Sequence, residues 1–190
     1  MDKFIKEDIR QAAHLGVGVA AVLIVMYVGF NSALFFMSII FLIGLLLVNL
    51  KMLGGKFKPI DYLLELADRN TAIPAQGAMF FAAGIMLLLV YARPLEFALA
   101  MIMLHAVGDA FATVIGVRFK SPLPWNKSKS WAGLIAFICL GLLAAQFFIP
   151  FQRAFLYAFF LGIVESLPLP IDDNVSVPIA ALILSLGGAL

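Results

Sequence analysis

Two stretches decide the architecture: AAHLGVGVAAVLIVMYVGF at 12–30 and SALFFMSIIFLIGLLLVNL at 32–50. Neither contains Asp, Glu, Lys or Arg. Each approaches the roughly 20 apolar residues that a helix needs to cross about 30 Å of hydrocarbon. Working outward, five more runs qualify or nearly do, at about 75–92, 94–117, 131–149, 151–167 and 175–190. Strands are not credible here, because an open sheet in lipid leaves its edges unsatisfied. Period-2 alternation is also missing.

Composition agrees. The 190 residues are 64% hydrophobic and 13% charged, with a mean hydropathy of +1.07, whereas soluble domains carry about 25% charged residues. The expectation is one all-α domain over 1–190, a polytopic bundle of about seven transmembrane helices. A formal net charge of +2 is too small to suggest a nucleic-acid partner. Cys139 lies alone in an apolar run and reads as a small buried hydrophobe. The first run has a basic start (Lys3, Lys6, Arg10), but Asp2, Glu7 and Asp8 are mixed in and no convincing cleavage site follows. It reads as a retained helix. Pro168, Pro170 and Pro178 suggest helices broken at the membrane surface near the end of the chain.

Segment 60–70, IDYLLELADRN, has a different pattern. Ile60, Leu63, Leu64 and Ala67 share one face, and Asp61, Glu65, Asp68 and Arg69 line the other. With Pro59 at its start, this predicts a short interfacial amphipathic helix. Orientation follows from Lys and Arg. With the N-terminus cytoplasmic, the inner segments hold eleven (Lys3, Lys6, Arg10, Lys51, Lys56, Lys58, Arg69, Arg118, Lys120, Lys127, Lys129) and the outer loops hold only Arg93 and Arg153.

Ionisable residues inside spans are costly, so each is a functional suspect. His105 and Asp109 sit at i,i+4 on one face of the fourth span, beside a small-residue stripe of Gly108, Ala112 and Gly116. Such a stripe serves a helix-packing seam or a homodimer contact, or leaves room for a ligand or cation at Asp109. The loop RFKSPLPWNKSKSWAG (118–133) supplies Arg118, Lys120, Lys127, Lys129 and three serines before a helix start. This is either a phosphate cradle or ordinary inner-face charge. VESLPLPIDDNVSVP (164–178) breaks the tie, since an inner loop does not require three acids and no base. Glu165, Asp172, Asp173 and Asn174 are hard oxygen ligands suited to Mg²⁺ with substrate phosphates, with a solvated acidic turn and helix cap as the plainer reading. Arg10 and His14 open the first span at i,i+4. Arg69, Gln76 and Gly77 form a weaker group. Acids on two segments and bases on a third are what phosphoryl transfer uses, yet no Walker-type or kinase-type glycine loop is present.

In this order, RQAAHLG (10–16), QGAMFFAAG (76–84), GDAFATVIGVRF (108–119), NKSKSWAG (126–133) and VESLPLPIDDNVSVP (164–178) resemble the polyprenol/dolichol, phytol and diacylglycerol kinase family. These integral-membrane enzymes are related to phosphatidate cytidylyltransferases. The resemblance implies a lipid-alcohol kinase, usually using CTP, with Mg²⁺ and a cytoplasmic active site, in the cell membrane if the source is prokaryotic. It implies Asp109, Asp172 and Asp173 as metal ligands, with Asn174 in the same nucleotide-phosphate group. Lys129, Ser130, Arg118, Lys120 and Gly108 would be on the phosphate side. Arg10, His14 and His105 would border the site, and Glu165 or Asp173 would orient or deprotonate the lipid hydroxyl. Three positions depart from the family pattern. Ala132 stands where Glu is frequent, Leu134 where a small hydroxyl residue is, and Lys120 where Gly is. A cytidylyltransferase making a CDP-lipid and, from another class, a small membrane transporter are the rival expectations.

Overall fold

In the computed structural model of the chain, the structure describes residues 3–67 and 73–186. These residues form eight helices: α1 Lys3–Val28, α2 Phe30–Met52, α3 Lys58–Ala67, α4 Gln76–Tyr91, α5 Leu95–Arg118, α6 Trp131–Ala145, α7 Phe151–Ser166 and α8 Asp173–Leu186. No strand occurs among the described residues beyond one isolated bridge, Pro122 to Ser130. The helical membrane bundle expected from composition is therefore what forms. Asp2, Asp68, Arg69 and residues 187–190 lie outside the described residues.

α1, α2 and α5 are long and apolar enough to cross a membrane. The helices at three of the other four runs, α4, α6 and α7, are shorter than the runs themselves. α4 and α7 have 16 residues and α6 has 15, so each is about 22–24 Å long at 1.5 Å per residue. The reason is local. After α6 the chain turns at 146–149 before Pro150, and Pro168 and Pro170 keep the stretch after α7 out of a helix. Pro178 does not break α8, contrary to expectation, but lies inside it.

α5 is the axis of the bundle. From Phe97 to Ala106 nearly every side chain is buried, so a helix without an amphipathic pattern is explained by neighbours on all sides. α6 packs along it most extensively, with α1, α4, α7 and α8 around the remainder. The small-residue stripe is filled by α6 of the same chain. A Cβ on Gly133 would lie 2.8 Å from the carbonyl oxygen of Ala112, and one on Gly108 would lie 3.0 Å from the Phe137 ring. That surface is unavailable to a second copy. α2 lies at the other extreme. Phe35, Phe36, Ile39, Ile40, Leu42 and Ile43 are all exposed, an outward apolar face that suits lipid and not water. Cys139 is exposed on α6, so it is an outward-facing residue of the bundle and not the buried hydrophobe expected.

α3 forms where the amphipathic pattern places it. Lys51, at the end of α2, bonds to Asp61, whose Oδ2 also accepts from the backbone N–H of Phe57 at 3.1 Å. The hydrogen bond from Lys51 holds the Asp61 carboxyl below its usual pKa.

One close approach sets the position of α8. Pro178 has no N–H to give the carbonyl of Asn174, four residues earlier. α4 covers that freed oxygen with Gly84, where a Cβ would collide with Asn174 O and come within 2.9 Å of Pro178 Cγ. A Cα–H···O contact is then available to a carbonyl that lipid would leave unsatisfied. Gly84→Ala should destabilise the bundle by about 1–3 kcal/mol, as overpacking does. Gly16→Ala, where a Cβ meets nothing within 4 Å, should be neutral or stabilising by up to about 1 kcal/mol through helix propensity. Thermal unfolding of the two variants in detergent checks the difference.

Candidate functional site

Three carboxylates from three helices converge at one end of the bundle. Asp109 (α5), Glu165 (α7) and Asp173 (α8) each offer an oxygen within 4.8 Å of the others. Asp109 and Glu165 are buried, Glu165 at 3% exposure. The helices that carry them explain the convergence. Asp109 lies two to three turns from the end of α5, Glu165 in the last turn of α7, and Asp173 in the first turn of α8.

Lys129 joins them. Its ammonium bonds to Glu165 and donates to Asp173 Oδ2 at 2.8 Å. Burial opposes the charge on Lys129, but Glu165, Asp173 and Asp109 outweigh that penalty, and its pKa is held above the ordinary lysine value. The lysine is aimed by a tightly pinned loop. Asn126 Nδ2 donates to the carbonyl of Ser166 at 3.1 Å. Asn126 Oδ1 accepts from the N–H and hydroxyl of Ser128 at 3.1 and 2.6 Å. Trp125 Nε1 donates to Ser166 Oγ at 3.2 Å. Leu123, fully buried, donates its N–H to the carbonyl of Lys129 at 3.0 Å. Ser166, Asn126 and Trp125 were not singled out by sequence reasoning. The only available signal was their place beside charged motif residues.

The remaining expected residues divide into those near the cluster and those held elsewhere. Asp172 caps α8, its Oδ1 accepting from Asn174 N at 3.0 Å and Nδ2 at 2.9 Å. Glu165 is thus the third converging carboxylate, and Asp172 lies beside the group. Ser130 caps α6, accepting from Gly133 N at 3.1 Å. Its hydroxyl also reaches Gly116 O at 3.4 Å. Arg118 turns away to Asp8 at 2.6 Å, tying the end of α5 to α1. Arg10 pairs with Glu7 within α1. Gly108 is a packing position under Phe137. Of the weaker group, Gln76 and Gly77 begin α4. His14 and His105 meet through Phe81, with ring centroids 4.8 and 5.6 Å apart.

Two cavities meet at the cluster. One, of about 330 Å³, is bounded by the 126–129 loop and the α7–α8 connection. The other, of about 730 Å³, lies between the first turns of α1, the end of α5 and the loop before α6, and includes Lys120 and Lys127. Ser128, Lys129, Glu165 and Asp173 line both.

The residues present fit a hard divalent cation such as Mg²⁺. When ionised, three carboxylates against one ammonium leave a charge of −2 in a mostly buried place, which is costly unless compensated. Nearby, the buried side chains of Asn174 and His105 interact with each other and have no further polar partner on Asn174 Oδ1 or the imidazole among the described residues.

No family model and no solved structure matches the chain. Among curated proteins it is similar to a probable chloroplastic phytol kinase of Triticum aestivum, 27% identical over 129 residues, or 58% of this chain and 43% of that one. It is also similar to phytol kinase 1, chloroplastic, of Arabidopsis thaliana, 33% identical over 94 residues, or 40% and 31% of the two chains. A third relative is farnesol kinase, chloroplastic, of the same plant, 27% identical over 202 residues, or 94% and 64%. The chain spans less than half the length of the phytol kinases it matches. The motif resemblance is borne out at modest identity: the curated relatives are phytol and farnesol kinases.

Removing Lys129 would leave Glu165 and its neighbours uncompensated. Lys129→Met should cost about 2–4 kcal/mol, near the lower end of what breaking a buried pair costs. Adding Glu165→Gln should recover part of that loss. Unfolding midpoints of the single and double variants in detergent test this.

Proposed function

We propose that this relative of phytol and farnesol kinases is itself a prenyl-alcohol kinase. It would transfer the γ-phosphate of a nucleoside triphosphate, CTP by resemblance, to the hydroxyl of an isoprenoid alcohol. The active site would face the cytoplasm. The observation that carries the reading is the convergence of Asp109, Glu165 and Asp173 on Lys129, in the wall between two cavities that each have room for one substrate.

Phosphoryl transfer needs positioning and charge stabilisation more than covalent catalysis. The alcohol oxygen attacks the γ-phosphorus in line. A new P–O bond forms as the bond to the β–γ bridging oxygen breaks, and the nucleoside diphosphate leaves with that electron pair. Glu165 takes the hydroxyl proton. Lys129 stands where it meets negative charge on the transferred group, and Lys120, Lys127 and Ser128 border the larger cavity. Asp109 and Asp173 would hold Mg²⁺, which when bound supplies neutralisation of phosphate charge. Lys120 and Leu134, two of the departures from the family pattern, both line that larger cavity. The choice between CTP and ATP would be made there.

Purified protein incubated with Mg²⁺, labelled CTP or ATP, and farnesol, phytol, longer polyprenols or diacylglycerol should yield a phosphorylated prenyl alcohol and a nucleoside diphosphate. Release of pyrophosphate would point to a cytidylyltransferase. No phosphorylated lipid from any acceptor would remove the reading. Asp109→Asn keeps the side-chain volume but loses the charge. It should lower turnover at least about a hundredfold, the scale on which loss of one electrostatic group acts, while the protein stays folded by size exclusion and thermal melting.

A further inference from the structure

The two cavities that share Glu165, Asp173 and Lys129 differ in charge and in the character of their mouths. Besides Lys129, the smaller is lined by Glu165, Asp172 and Asp173, a balance of −2 when all are ionised. In the larger, Lys120, Lys127 and Lys129 offset Glu7, Glu165 and Asp173. A triphosphate is repelled by the first balance and not by the second, whereas a neutral hydroxyl meets no such penalty.

The mouth of the smaller cavity is apolar. The connection LPLPI at 167–171 exposes Leu167 at 39%, Leu169 at 43% and Ile171 at 55%, and all three line the cavity. Pro168 and Pro170 keep this stretch extended and unable to continue α7. Consecutive exposed apolar residues on a loop are unfavourable in water and suited to an alkyl chain. The same loop leads inward to Glu165.

We propose that the smaller cavity is the acceptor site. It would take the hydroxyl end of a long-chain prenyl alcohol over the 167–171 rim, leaving the larger cavity to the triphosphate. At about 330 Å³ the cavity lies near the lower bound of small-molecule sites, about 300 Å³. It therefore holds the head of the chain while the rest stays in the bilayer. The Lys129 ammonium then stands between the two substrates, and Glu165 lies at the floor where the hydroxyl proton is lost. This assignment rests on the kinase reading.

The test uses the full chain in lipid nanodiscs with a diazirine-bearing farnesol, whose photo-adducts are mapped by mass spectrometry. Labelling within 164–176, competed by unlabelled farnesol, is the expected result. Leu169→Ser should reduce it and raise the KM for farnesol about tenfold, the scale of losing a few methylene contacts. The KM for the nucleotide should stay within about twofold by the same reasoning. Adducts on residues 112–122 or 130–134, which line only the larger cavity, a shift in nucleotide KM in place of the alcohol KM, or no competed label would each overturn the assignment. Competed labelling at 164–176 without turnover under any nucleotide would refute the kinase reading while supporting the alcohol site.

Discussion

The ammonium of Lys129 ties together three carboxylates carried by three different helices. It leaves the loop before α6, bonds to Glu165 at the end of α7 and to Asp173 at the start of α8, and lies within electrostatic reach of Asp109 on α5. Each acid would be expensive to bury alone, and together they repel. The loop is accordingly rigid where it presents the lysine, through Asn126, Ser128 and the buried Leu123. The same arrangement that makes the convergence of three acids tolerable also places a positive charge between two cavities.

Packing supports that arrangement from outside. α8 can bring Asp173 inward because Gly84 lets α4 lie against the Asn174 carbonyl that Pro178 leaves without a partner. α6 can bring Ser130 and Lys129 inward because Gly133 lies close against α5. Each approach uses a missing side chain to satisfy backbone in a place without water. Misplacing α8 by an ångström would draw Asp173 away from carboxylates that now lie within 4.8 Å of it, and misplacing α6 would draw Lys129 away from all three.

Much of this was legible beforehand, for identifiable reasons. Hydropathy marks spans whatever their packing, so α1, α2 and α5 were plain. Charge inside a span is rare enough that Asp109 declared itself, and an acidic loop among basic ones exposed 164–178. The ends of α6 and α7 were harder, since an apolar run does not reveal where proline or a turn stops the helix within it. Side-chain direction was hidden altogether. Arg118 and Lys129 look alike as loop bases, yet Arg118 closes onto Asp8 and Lys129 onto the acids. Spacing likewise gave no warning that Glu165, not Asp172, would be the third converging carboxylate. That depends on how α7 and α8 meet, a long-range fact. The exposure of Cys139 is a similar case, because an apolar neighbourhood in sequence serves a lipid-facing position as well as a core.

The short helices α4, α6 and α7 bear on the bilayer around them. At about 22–24 Å they fall short of a hydrocarbon layer averaging about 30 Å, and thinning of the bilayer beside the protein is one relief of such a mismatch. α7, which carries Glu165, is among them. Where α7 crosses the bilayer, the membrane would thin next to Glu165. An amphiphile in that leaflet is brought toward the site by the deformation itself, and need not rise out of the bilayer to reach it.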